Sequence, residues 1–310
     1  MSAAITVVGS LNMDFVARVP RLPAPGETVI GSDFRMIPGG KGANQACAVG
    51  RLAGPGLAVR MVGCVGHDPF AAHLKASLSA AGVDIDGIRS TRAAATGIAM
   101  IWVGGNGQNS IMVAPGANHE LRPRDVERMR SAFRDTRYAL FQLETPLETV
   151  ADAMRLAREC GAETILDPAP AQPLDRALLE LVSILTPNES EASLLLGREA
   201  SLIDVDDSAE VAAALLEMGP RAVVLKLGAA GCFYMDCGGS TFCPAFPVEA
   251  VDTTAAGDTF NAAFAVALAE GRAMAAALRF ANAAAGLSVT RHGAQSSAPA
   301  REEVERLAAL

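Results

Sequence analysis

The chain has no CxxC pair among its six cysteines, no basic leader, no long apolar run and only three lysines. Without cysteines at metal-ligand spacing, neither a zinc site nor a disulfide framework is expected. Cys232, Cys237 and Cys243 read instead as small buried hydrophobes on strands. The apolar stretch Ala3 to Val8 gives way to Asn12 and Asp14, unlike a secretory leader. No stretch reaches the roughly 20 apolar residues of a membrane helix, because Asp258, Glu270, Arg272 and Arg279 interrupt the alanine-rich C-terminal region. The net charge of -8 disfavours general binding to nucleic acid or anionic membrane, since both need a positive surface field. A soluble cytoplasmic enzyme is the expectation. Two nucleotide signatures are also missing. Lys41 is followed by Gly42, so there is no G-x-x-x-x-G-K-[ST], and no G-x-G-x-x-G follows the first β-rich run, which disfavours an NAD-dependent oxidoreductase.

What is present is a globular composition, with half of the 310 residues hydrophobic and 19% charged. Short β-rich runs alternate with alanine- and leucine-rich amphipathic stretches, as in an α/β fold with a doubly wound, mostly parallel sheet flanked by helices. Core strands are expected at Ile5 to Gly9, Val59 to Val65, Tyr138 to Leu143, Thr164 to Asp167, Ile184 to Thr186 and Ala222 to Leu227. Helices are expected at Lys41 to Ala53, Pro69 to Ala81, Leu147 to Cys160, Glu189 to Leu196, Ser208 to Met218, Gly257 to Glu270 and Ala273 to Ser288. No linker divides this pattern, so residues 1–310 read as one domain. Segments 11–37 and 96–118 break the alternation, the second through a hairpin-like Gly104-Gly105-Asn106-Gly107 turn. They read as a small β-sheet, either a lid that closes over a ligand or a plain hairpin packed on the core. An apolar outer face on such a lid would favour a homodimer.

Two glycine-rich blocks stand more than two hundred residues apart. Gly39-Gly40-Lys41-Gly42-Ala43-Asn44-Gln45-Ala46 leads from a Pro-Gly-Gly turn into a helix and sets an ammonium and an amide beside that turn. Asp252-Thr253-Thr254-Ala255-Ala256-Gly257-Asp258-Thr259-Phe260-Asn261 puts small residues and a carboxylate where a helix begins, so free N–H groups and the positive helix end can meet an anion. Asp258 reads as a general base or as a residue complementing the helix dipole, and Gly257 favours the first reading by letting a phosphate approach the backbone. Asn12 and Asp14 follow the first strand, where α/β folds form ligand crevices, although both residue types also suit turns. Lys41 is one of three lysines among 26 basic residues. It reads as a ligand contact or as a solvated helix-start charge.

These blocks, together with Gly9-Ser10-Leu11-Asn12-Met13-Asp14, Pro25-Gly26-Glu27-Thr28, Thr186-Pro187-Asn188-Glu189, Leu227-Gly228 and Val289-Thr290-Arg291-His292-Gly293-Ala294-Gln295, resemble the ribokinase-like (PfkB) carbohydrate kinase family over nearly the whole length. The Gly39 to Ala46 block points toward the ribose kinases within it. The resemblance implies ATP-dependent phosphorylation of D-ribose at O5, giving D-ribose 5-phosphate and ADP. It implies sugar contacts from Asn12, Asp14, Gly40, Lys41, Asn44 and Glu144, with Asp258 as the base. Ala255, Ala256 and Gly257 would supply the anion hole, and Asn188, Lys226, Gly228, Gly231, Gly257 and Asn282 the nucleotide side. Glu191 falls in an Asn-x-x-Glu pattern tied to Mg²⁺ and phosphate. An activating K⁺ is implied among Asp252, Thr254, Ser288, Gly293 and Ser297. Lys226 departs from the small hydroxyl residue often found there in ribose kinases. The rival readings are another sugar or nucleoside kinase of the family, such as a deoxyribokinase or a fructokinase, and a non-catalytic sugar-binding sensor.

Overall fold

A computed structural model describes residues 3–105 and 108–309. Asn106 and Gly107, half of the expected hairpin turn, lie outside the described residues. In chain order the elements are β1 (Ala3–Val8), β2 (Asn12–Val19), β3 (Asp33–Gly39), α1 (Lys41–Leu52), β4 (Leu57–Gly66), α2 (Pro69–Ala80), β5 (Ile88–Thr91), β6 (Gly97–Gly104), β7 (Asn109–Ala114) and α3 (Pro123–Arg128). There follow β8 (Thr136–Phe141), α4 (Leu147–Glu159), β9 (Glu163–Leu166), α5 (Arg176–Leu179), β10 (Ile184–Leu185), α6 (Glu189–Leu195), α7 (Ser208–Glu217) and β11 (Ala222–Lys226). The last are β12 (Gly231–Asp236), β13 (Gly239–Pro244), α8 (Ala256–Ala269), α9 (Met274–Ser288) and α10 (Arg301–Ala308).

Among the described residues the main sheet has nine strands in the order β13-β12-β11-β10-β9-β8-β1-β4-β5. It is parallel from β11 to β5, and the β12–β13 hairpin extends one edge antiparallel. The period-2 alternation of the strands divides their side chains between two cores. Ile5, Val7, Ile165 and Val224 pack with α1, α8 and α9 on one face, while Val8, Leu166, Val223 and Leu225 pack with α4, α6 and α7 on the other. Both faces of the sheet are therefore buried, which explains why its strands read as apolar runs.

The chain runs from β1 to β4 on one side and later returns through β8 on the other, so the winding reverses between β1 and β8. A ligand crevice is expected outside the carboxyl ends of strands at such a reversal. Residues 11–37 and 96–118 supply β2, β3, β6 and β7, which pair in the order β3-β2-β6-β7 with β2 parallel to β6. The pleat puts Asp14, Ile37, Ala99 and Val113 on one side of this sheet and Phe15, Met36, Met100 and Met112 on the other.

Each expected core strand and helix is present, shifted by at most two residues at an end. Helices α3, α5 and α10, strand β5 and the β12–β13 hairpin are additional to the expected elements, and α3 and α5, of six and four residues, are too short to impose a periodicity. Asn12 and Asp14 lie on β2 of the small sheet rather than in a turn after β1. Cys232 and Cys243 are buried on β12 and β13, but Cys237 corrects its expectation. It sits exposed in the tight turn between those strands, where no core reaches it. Among the described residues no helix is long and apolar enough to cross a membrane.

Candidate active site

The carboxyl ends of β8, β9, β10 and β11 deliver Glu144, Asp167, Asn188 and Lys226 to one rim, and the N-terminus of α8 points at it. A cleft of about 370 Å³ lies there, lined by residues including Lys41, Asp167, Asn188, Glu191, Lys226, Gly228 and Ala255 to Asp258. Ala255 has φ 58, a left-handed conformation that costs a non-glycine residue roughly 1–2 kcal/mol. That turn starts α8 abruptly at Ala256. The N–H of Ala256 makes a long bond to Thr253 O at 3.3 Å, and among the described residues the N–H groups of Ala255, Gly257 and Asp258 have no acceptor. Unmet donors at the positive end of a fourteen-residue helix form an anion site. A Cβ at Gly257 would stand 3.3 Å from Lys226 Nζ, inside the cleft.

Asp258 is 5% exposed. Its carboxylate does not cap its own helix. Oδ2 accepts from Asn44 Nδ2 and Oδ1 from Gln45 Nε2, each at 3.1 Å, so the first turn of α1 holds both oxygens. Burial pushes its carboxyl up to about 6; the Lys41 ammonium opposes this and Asp167 adds to it. At neutral pH the group is an ionised carboxylate of unusual basicity, suited to taking a proton. Asp167 in turn accepts from Lys226 Nζ at 2.8 Å and from Gln45 Nε2 at 3.1 Å.

Lys41 is not the solvated helix-start charge that its position allows. Burial favours the neutral amine, but Asp258, Asp167, Glu144 and Glu191 outweigh it and hold the ammonium well above the ordinary lysine range. None of the four is in ion-pair contact with it, so the charge stands free in the cleft.

On the other side of Asp258 are polar atoms without partners. Asp14 Oδ1 and Asn44 Oδ1 are buried and unbonded among the described residues, an arrangement that is costly unless a ligand meets them. Asp14 is pushed up to about 7 by burial, then by Glu144 and Asp258. Its carboxylate fits only because Gly39 has no side chain, since a Cβ there would lie 2.1 Å from Asp14 Oδ2. Asn12 gives its oxygen to Asn118 Nδ2 at 2.7 Å, which leaves its N–H₂ for a ligand. Gly40, at φ 88, turns the chain from β3 into α1. Glu144 accepts from Ser10 Oγ and from the Lys41 N–H at 3.2 Å, fixing it beside the start of α1.

The other expected residues are more dispersed. Asn188 and Glu191 form a reciprocal cap on α6, each accepting at 2.8 Å from the other's N–H, and burial raises Glu191 against the pull of Lys226. Gly228, at φ 51, lines the cleft. Gly231 is required by the hairpin, because a Cβ would strike Cys243 O at 2.2 Å. Asn282 spends its amide N–H groups on Cys243 O at 2.9 Å and Pro244 O at 3.1 Å, tying α9 to β13. Asp252 bridges two loops, accepting at 2.9 Å from both the Thr254 and Gly293 N–H groups. Ser288 and Ser297 donate their hydroxyls to nearby carbonyls.

Gln45, Asp167, Asn118, Ser10 and Gln142 escaped the sequence reading. Asp167 is legible in the sequence as a carboxylate at the end of a core strand, the kind of position at which α/β folds form ligand crevices. Gln45 lies inside a motif that was singled out, one turn beyond Lys41 on the same helix face. Ser10 likewise lies inside the Gly9 to Asp14 block, and nothing local marks Asn118 or Gln142.

The sequence pattern of the pfkB family carbohydrate kinases matches residues 2–301. The chain is 41% identical over 303 residues to a ribokinase of Haemophilus influenzae, covering 98% of this chain and 97% of that one. It is 42% identical over 303 residues to a ribokinase of Bacillus subtilis, covering 98% of each. A structure of Arabidopsis thaliana ribokinase complexed with ribose and ATP matches with a TM-score of 0.91 at 34% identity, over 100% of both chains.

The raised Asp14 carboxyl has a consequence for stability. The fold binds this proton more tightly than the unfolded chain, so its contribution is complete below the ordinary 3.8 and is lost as the pH rises through about 7. Asp14→Asn removes that dependence. Between about pH 5 and about pH 8, the Tm of the ligand-free variant should gain on the wild type by about 3–5 °C. Parallel Tm curves from scanning calorimetry would show that Asp14 is not held protonated by the fold.

Proposed function

The chain belongs to the pfkB family of carbohydrate kinases, and from that premise we propose how its residues act. It is an ATP-dependent kinase of D-ribose, forming D-ribose 5-phosphate and ADP. The observation that carries the reading of the site is the meeting of three things: the unmet N–H groups at the start of α8, the buried basic carboxylate of Asp258, and the orphaned acceptors Asp14 Oδ1 and Asn44 Oδ1. The acceptors match sugar hydroxyls, which are donors, and the Asn12 N–H₂ matches a hydroxyl oxygen. Glu144, Gly40 and Lys41 complete the sugar side. Asp258 takes the proton from O5 as that oxygen attacks the γ-phosphorus in line, and the phosphoryl charge is met by the N–H groups of Ala255, Ala256 and Gly257. The free ammonium of Lys41 lies between sugar and phosphate, where it offsets charge on the transferring group. Asn188, Lys226, Gly228, Gly231 and Asn282 serve the nucleotide side. Lys226 reaches a phosphate by exchanging or sharing its bond to Asp167.

Mg²⁺ would accompany ATP, and Glu191 would hold it through water by the carboxylate oxygen not used in the α6 cap, supplying charge to offset the phosphates. For K⁺, the residues fit. Burial works to raise Asp252, yet the Gly293 and Thr254 N–H groups outweigh it and keep its carboxyl below the usual range, an anionic oxygen site three residues before the anion hole. The Ser288 and Ser297 hydroxyls have their protons turned to carbonyls, so their lone pairs are available to a cation. K⁺ bound by Asp252, Thr254, Ser288, Gly293 and Ser297 would fix the loop that presents the N–H groups. Coupled turnover assays with ATP over pentoses, hexoses and nucleosides test both assignments. Ribose should give the highest kcat/KM, and replacing K⁺ by Na⁺ or a bulky organic cation should slow turnover without unfolding the protein. A higher kcat/KM for deoxyribose, fructose or a nucleoside would reassign the substrate, and equal rates without K⁺ would remove the cation site.

The four-stranded sheet is the lid of this site, since Asn12 and Asp14 belong to it and closure excludes water from the phosphoryl acceptor. Phe34, Met36, Met100, Ile111, Met112 and Val113 are exposed on it, with Phe34 58% exposed. Apolar residues in that number on one sheet match a second copy of the chain, giving a homodimer through the lids in the cytoplasm. Sedimentation should find a dimer that Phe34→Asp with Ile111→Asp converts to a monomer. Saturating ribose should slow hydrogen exchange in segments 11–37 and 96–118 more than in α7. A wild-type monomer, or lid exchange unaffected by ribose, would contradict these assignments.

A further inference from the structure

Gln45 and Gln142 are buried, at 1% and 0% exposed, and neither reaches the cleft surface. Gln45 Nε2 lies 3.1 Å from Asp258 Oδ1 and 3.1 Å from Asp167 Oδ2. A carboxamide has one donor end and one acceptor end, and ionised carboxylates only accept. The two carboxylates therefore force the N–H₂ of Gln45 inward and its oxygen away from them. Gln142, one residue beyond β8, meets that oxygen with its own Nε2 at 2.6 Å. A flipped Gln45 would oppose oxygen to both carboxylates and N–H₂ to N–H₂. Gly9 makes the space for this pair, since a Cβ there would lie 2.0 Å from Gln142 Oε1. The orientation of Gln45 is thus set by the two carboxylates and held from behind by Gln142.

We propose that Gln45, locked by Gln142, is a positioning residue that aims the Asp258 carboxylate at the attacking hydroxyl and ties it to the Asp167–Lys226 pair on the nucleotide side. This rests on Asp258 being the base. The charged groups around Asp258 are Lys41 from α1, Asp14 from β2 and Asp167 after β9, the last paired with Lys226 of β11. Once the Gln45 N–H is removed, only the Asn44 N–H and the Lys41 ammonium are left to oppose burial and the two carboxylates. The proton affinity of Asp258 then rises. Loss of Gln142 leaves the donor in place but unlocked, so the same change follows in smaller measure.

The test is kcat against pH at saturating ribose, ATP and Mg²⁺ for the wild type, Gln45→Met and Gln142→Met, with Tm and the ribose Kd measured on each. The acidic limb should move upward by about one pH unit in Gln45→Met. That is a loss of roughly tenfold on the acidic side which recovers on the alkaline side. Gln142→Met should shift less in the same direction, with the ribose Kd little changed. A folded Gln45→Met protein whose kcat is reduced equally at every pH, with the limb unmoved, would overturn the proposal. If Gln45→Met does not fold, the limb of Gln142→Met decides in the same way. A wild-type kcat without an acidic limb would overturn the base assignment as well, and so separates that failure from this one.

Discussion

Phosphoryl transfer at this site depends on keeping one carboxylate ionised where burial favours its protonation. Asp258 is nearly sealed from water, and its charge is maintained by two amide donors and a free ammonium supplied by the first turns of α1. Hydrogen bonds to an ionised acceptor are the stronger kind, and in a buried setting their loss is costly. The residual upward shift is useful in itself. A carboxylate at about 6 is a better proton acceptor than one at the ordinary 3.8, yet is still ionised at neutral pH.

The surrounding backbone is arranged to bring α1 and α8 to the same point. α1 packs against β1 closely enough that a Cβ on Gly42 would lie 2.7 Å from Gly9 C and Ser10 N. α8 begins at a left-handed alanine that leaves N–H groups unmet. The ligand-free fold also tolerates three carboxyls raised by burial, Asp14, Asp258 and Glu191, and the orphaned oxygens of Asp14 and Asn44. Each of these features reduces the stability of the empty protein and increases what the ligands gain on binding. A left-handed alanine, unmet N–H groups and orphaned oxygens that meet at one cleft, on a sheet that is buried on both faces, are the physical sign of a binding site.

The Gly39 to Ala46 and Asp252 to Asn261 blocks were legible in the sequence because glycine, lysine and carboxylate at a helix start have a local meaning. Parallel strands and the longer helices followed from periodicity, and the small sheet from the two segments that interrupt it. Gln142 and Asn118 were not legible, since each is defined by a partner about a hundred residues away. Gln45 meets Asp258 across a separation of 213 residues, and only the reversal of the sheet between β1 and β8 brings them together. The β12–β13 hairpin was obscured because its tight turn, Asp236 to Gly239, carries a cysteine that composition alone places in the core.

The central claim is that Asp258 acts as a base and not as a structural acceptor. Asp258→Asn retains size and most of the geometry around Asn44 and Gln45 while removing the basic group. With ribose and ATP binding measured by calorimetry and turnover by ADP release, both ligands should bind within a few-fold of the wild type, and kcat should fall by ~10²–10⁴ or more. A variant that binds both ligands and keeps near-normal kcat would contradict the account.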